Sequence, residues 1–167
     1  MKPRRFRPWA EEQIRKSPAV ASVEAIPDDR PGHDYLIYTH VTFTTGAKVI
    51  IHMVGTSPSV GGGAVGEDDA TVTGPAPEPV KVPELATSGR LKTRDIEQHL
   101  AALLNNAGSD EIRDVAGYSQ HPQLGSDQQP YGIRIRFHDE SAVYALFWKM
   151  APAGGQPGGE FQQREEV

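Results

Sequence analysis

No cysteine occurs among the 167 residues. That excludes disulfides, thiolate metal sites and a cysteine nucleophile, and it fits a reducing compartment such as the cytoplasm. Aromatic residues make up only 7% of the chain and the mean hydropathy is -0.50, which leaves modest material for a core. No apolar run approaches the roughly 20 residues of a membrane span. The basic start Met1-Lys-Pro-Arg-Arg-Phe-Arg7 has no apolar stretch behind it, so no secretory signal is expected either. The chain reads as a soluble protein. Catalytic signatures are also missing. Gly61 to Gly66 is not followed by Gly-Lys-Ser/Thr, and there is no Gly-x-Ser-x-Gly elbow or His-Glu-x-x-His helix. A net charge of -5 argues against generic binding to nucleic acid.

What is present is one short plan met twice: a helix, a strand, a variable loop and a hairpin. Val41 to Val54 lies over Ile135 to Trp148 without a gap, so that Phe43 falls on Phe137 and Val49 on Val143. Each hairpin is preceded by a strand pattern, Val20 to Ile26 and Ile112 to Tyr118, and before that by a helix pattern, Pro8 to Lys16 and Arg94 to Ala107. The expected fold is therefore α+β, with two tandem αβββ modules, each a helix packed on a small antiparallel sheet. Boundaries follow from composition: a first module over 1–55 with a basic N-terminal arm, a Gly/Pro-rich linker over 56–89, a second module over 90–152, and a mobile polar tail over 153–167. Val80, Val82 and Leu85 could dock as a short extended segment. In the second helix Ile96, Leu100, Leu103, Leu104 and Ala107 form one apolar stripe, with Thr93 as N-cap, Asp95 and Glu97 complementing the helix start, and Gly108 as stop.

Alternation sets the registers. In the first hairpin Val41 and Phe43 share a face with Ala47 and Val49, which predicts the loop Thr44-Thr45-Gly46 with Gly46 left-handed. In the second, the same parity predicts a loop over Asp139-Glu140-Ser141, with Arg134 across from Leu146 and Arg136 across from Tyr144.

The faces opposite the core carry the candidate binding residues: Arg134, Arg136, Tyr144 and Trp148 in the second hairpin, and Tyr38, His40 and His52 in the first. Arginines beside aromatic rings suit an acidic partner or stacked bases. His40 and His52 are diagonal neighbours, but zinc would need further ligands from Asp28, Asp29, His33 or Asp34, and no fixed metal spacing is met. No metal, cofactor or membrane partner is expected.

A helix followed by three strands resembles the front of double-stranded RNA-binding domains. Met150-Ala-Pro-Ala-Gly-Gly155 stands where that family has a second helix with a basic start, so its phosphate contact has no counterpart. The expected function is non-enzymatic binding or assembly through a protein partner or self-association. The Arg-, Ala-, Gly- and Pro-rich composition suggests a high-GC genome, and an accessory or structural protein of a mobile element or phage fits this description. A nucleic-acid-binding regulator using Arg4, Arg5, Arg7 and the second hairpin is the alternative. An enzyme without a recognisable motif is the second alternative.

Overall fold

The computed structural model describes residues 3–27, 37–56, 71–156 and 165–167, without the side chains of Pro3, Arg4 and Ile37. Helix α1 spans Pro3–Arg15, with Pro8 inside it. The helix thus begins upstream of the predicted Pro8, and the basic stretch from Pro3 to Arg7 is its first turns rather than an arm. A proline past the first turn removes a helix hydrogen bond. Burial offsets that loss. Phe6 is fully enclosed, its ring 5.5 Å from Trp9 and edge-on to Phe137 at 5.8 Å, worth about 2–3 kcal/mol. Phe6, Ala10 and Ile14 make the buried stripe.

Strands β1 (Val20–Pro27), β2 (Ile37–Phe43) and β3 (Lys48–Thr56) follow, then α2 (Thr93–Asn105), β4 (Ile112–Gly117), a 3-10 turn at Pro122–Leu124, β5 (Gly132–Phe137) and β6 (Ala142–Ala151). The strands form one antiparallel sheet in the order β1-β2-β3-β6-β5-β4. Helices α1 and α2 touch each other on one face of it. Extended Lys92, not Thr93, holds the N-cap position of α2. Thr93 is instead buried as the first helical residue, with its hydroxyl 3.6 Å from Met150 Sδ.

The first hairpin closes over Thr44-Thr45-Gly46: Phe43 N–H donates to Ala47 at 2.8 Å and Gly46 takes φ +88°. The second closes one residue earlier than the sequence parity suggests. Phe137 N–H donates to Ser141 at 3.0 Å, and Glu140 is left-handed at φ 65°. Arg134 therefore faces Tyr144 and Arg136 faces Ala142, a slip of two residues that preserves which side chains point inward. With this register the two loops occupy the same place in the gapless overlay. Other irregularities correspond once β1 is laid over β4 with Val20 on Ile112, two residues out of step with the hairpin overlay. Register shifts occur between Val20 and Ser22 on β1 and between Ile112 and Asp114 on β4. Thr44 N–H donates to Ala19 as His138 N–H donates to Glu111, and Val20 N–H to Ser17 as Ile112 N–H to Ser109.

Gly46→Ala is expected to lose about 1–2 kcal/mol, from a left-handed alanine whose Cβ would also lie 3.1 Å from that of Ala153. Glu140→Gly should stay within about 0.5 kcal/mol of the parent, because relief of the backbone is offset by glycine's chain entropy and the loss of an exposed ion pair to Arg113. Urea denaturation measures both. Equal losses at the two sites would contradict the assigned loop geometry.

The core is continuous. Phe6, Ile14, Val41, Phe43 and Ile51 cluster with Ile96, Leu100, Phe137, Val143 and Phe147. Residues 71–86 form no helix or strand and run extended along α2 from its end towards its start. Asn105 Nδ2 donates to Glu78 O at 2.8 Å, Asn106 brackets the Val80 backbone at 2.8 and 2.6 Å, and His99 meets Pro83 O at 2.7 Å. Val80 itself is exposed, whereas Leu85 packs against the core. Val167 is buried and pairs its backbone with Leu91.

Candidate functional site

The two helices cover the face built from Val41, Val49, Ile135, Val143 and their neighbours. Among the described residues no helix packs on the other face. Cross-strand partners share a face, so the register alone arranges that surface into rows. One row runs Ser22, Thr42, Lys48, Ala151, and the next Glu24, His40, Ile50, Lys149. Then come Ile26, Tyr38, His52, Leu146 and Gly132. Beyond them lie Val54, Tyr144, Arg134, Ala116, and last Thr56, Ala142, Arg136, Asp114. The single sheet thus brings the candidate residues of both hairpins onto one surface.

An aromatic group occupies the middle. Tyr38 stacks near Trp148 with centroids 6.5 Å apart, and His52 lies 5.2 Å from Tyr38 and 6.1 Å from Trp148. Trp148 reaches this group through a bulge: β3 pairs Ile51 with Phe147 and Ile50 with Lys149, which leaves Trp148 as the extra residue. A bulge can re-aim a side chain in this way. On one side of the aromatics Asp114 holds Arg136 at 2.7 Å and Arg134 at 3.4 Å. The Asp114 bond pushes the already high Arg136 pKa further up. On the other side a cavity of about 340 Å³ is lined by Glu24, His40, Thr42, Lys48, Ile50 and Gln156, among others. Burial pushes the His40 pKa down. Glu24 opposes this, and Lys149 and Lys48 reinforce it.

Arg5 and Arg7 do not join this surface. Arg5 pairs with Glu111 at 3.1 Å and Arg7 with Glu11 at 3.6 Å, while Arg4 lies in α1 with its side chain outside the described residues. His40 and His52 occupy the expected diagonal positions, facing Ile50 and Tyr38. Asp28, Asp29, His33 and Asp34 lie outside the described residues. No group of three or more His, Asp or Glu suited to a metal occurs among the described residues.

Two buried polar arrangements escape the sequence reading. Glu97 faces inward instead of serving the helix start. Its carboxylate accepts Gly132 N–H at 2.8 Å, Ser119 N–H at 2.9 Å and the Ser119 hydroxyl. Burial still pushes its pKa up, against these hydrogen bonds. The only sequence signal is position: Glu97 sits beside Ile96 and one turn before Ala101 and Leu100, within the inward arc of α2. The second arrangement joins Ser17 Oγ to His99 Nε2 at 2.7 Å, with His99 Nδ1 2.7 Å from Pro83 O. A carbonyl only accepts, so Nδ1 carries a proton, and in the neutral ring Nε2 then accepts from Ser17. The pairing has the form of an activated nucleophile, but Ser17 and His99 are 3% and 5% exposed and neither lines a described cavity. It ties the end of α1, the middle of α2 and the extended segment together. No helix among the described residues is long and apolar enough to cross a membrane. The chain matches no protein family, no curated protein and no solved structure.

Proposed function

We propose that the chain is a non-enzymatic binding module, acting in the cytoplasm, that engages a protein partner or a second copy of itself through the sheet face opposite the helices. The observation that carries this reading is a contiguous surface of aromatic, apolar and cationic side chains held in fixed register by one sheet. Corresponding loops, bulges and turn hydrogen bonds support an origin by duplication of an αβββ unit, the copies being joined by the Gly/Pro-rich segment 56–89. In this reading the first copy supplies histidine and threonine to the face, and the second supplies arginine, tyrosine and tryptophan.

Protein is favoured over nucleic acid because the arginines of this face are already paired. Asp114 engages both Arg134 and Arg136, and Tyr38 is only 9% exposed, which leaves little ring surface for a base. Val54 lies on this face in the row of Tyr144 and Arg134 and is exposed, so Val54→Glu should alter stability by less than about 0.5 kcal/mol. The same change is expected to reduce recovery of a partner from host extract at least about ten-fold, equivalent to 1.4 kcal/mol, with light scattering reporting any self-association. Unchanged recovery and unchanged molecular size in the variant would remove the reading.

A further inference from the structure

Resting on that reading, we infer that the cavity at His40 receives the carboxylate of an acidic residue in an extended segment of the partner polypeptide. Three observations converge on it. Lys48 on β3 and Lys149 on β6 both act electrostatically on half-buried His40, although they come from strands in different halves of the chain. Neither lysine forms an ion pair among the described residues, whereas Arg134 and Arg136 at the far end of the same face are both tied to Asp114. The bulge that carries Trp148 towards the aromatic group also sets Lys149 across from Ile50, beside the cavity.

The lining distinguishes a carboxylate on a peptide from a free anion. Lys48 lines the cavity and Lys149 stands across from the lining residue Ile50, while exposed Glu24, also in the lining, pairs across from His40. A lone anion would meet repulsion from Glu24. An acidic residue in an extended backbone instead presents an N–H donor for Glu24 beside the carboxylate for the lysines, a hydrogen bond at one rim and a pairing of opposite charges at the other. Ile50 contributes apolar surface to the lining.

The groups facing His40 are Glu24 from β1 and Lys48 and Lys149 from β3 and β6. Adding a carboxylate among them offsets the lysines and raises the His40 pKa. The test uses the full chain and imidazole NMR, with an acetylated and amidated peptide of alternating Glu and Leu as probe. The Gln/Leu counterpart, inorganic phosphate and an oligothymidylate serve as comparisons. The Glu peptide should shift the His40 signal to saturation and move its titration midpoint upward, at least ~10-fold more tightly than the Gln peptide. Lys48→Gln with Lys149→Gln should remove the response while the remaining spectrum stays folded. No response of His40 to the Glu peptide, or equal binding of the Gln peptide, would overturn the inference, as would tighter binding of phosphate or oligothymidylate. Partner capture by the parent that is lost in Val54→Glu would leave the wider reading standing in any of those cases.

Discussion

Glu97→Ala is expected to lower the stability of the fold by about 3–5 kcal/mol, since removing one partner of a buried charged hydrogen-bonded group leaves the others unsatisfied. Glu97 is fully enclosed, and its carboxylate is the acceptor for the Gly132 and Ser119 N–H groups. These two donors belong to the two ends of the β4–β5 connection, so the substitution releases that loop as well as opening a cavity. Gly117 is part of the same latch: a Cβ there would lie 2.9 Å from Glu97 Oε2. Glu97→Gln keeps one acceptor and should lose less. It also separates the charge from the shape. The folded-state pKa of Glu97 is raised above the ordinary carboxylate value, chiefly by burial. The native state therefore holds the proton more tightly than the unfolded chain. Parent stability falls as pH rises from the unfolded carboxylate pKa through the raised folded value, then levels. Glutamine does not titrate, so its deficit should be larger near pH 4 than near pH 8. Urea denaturation at the two pH values checks this, and a deficit that grows with pH would reverse the assignment.

The unequal legibility of these features has physical causes. Alternation within a hairpin is local and strong, so the inward sets Val41, Phe43, Val49 and Ile133, Ile135, Phe137 could be read directly, as could the coarse α+β class. The second turn misleads because glycine is the usual mark of a left-handed position, and here Glu140 occupies it at φ 65°. The overlay with the first hairpin carried the correct placement. Proline and a run of arginines disguise the start of α1, where burial of Phe6 overrides local preference. Residues 71–86 dock through backbone carbonyls to Asn105, Asn106 and His99, which leaves no periodic trace in their own composition. At the candidate site, alternation identified which side chains oppose the core. That both hairpins contribute to one surface depends on β3 pairing with β6, a contact between distant parts of the chain that no local pattern encodes.

That pairing underlies the second large effect. Phe147→Ala is expected to cost about 3–5 kcal/mol, the range for truncating an enclosed phenylalanine, and to lower both halves of the molecule together. Phe147 is fully buried on β6 and stands opposite Ile51 of β3, so its ring closes the seam between the two sets of three strands. Across the same core Phe6 of α1 packs on Phe137 of β5, and Ser17 meets His99. Each half therefore contributes to the enclosure of the other. If the core unfolds as one cooperative unit, slow amide exchange at Val41 and Val49 should accelerate in the variant by the same free energy as at Ile135 and Val143. Independent modules would instead lose protection only on β4, β5 and β6. Native-state hydrogen exchange distinguishes the two outcomes. The result also bears on binding, because a single rigid sheet fixes the distance between the His40 cavity and the Arg134–Asp114 cluster. One partner segment can span both ends only if that separation is constant, so uncoupled exchange of the halves would count against a shared docking face as well as against a shared core.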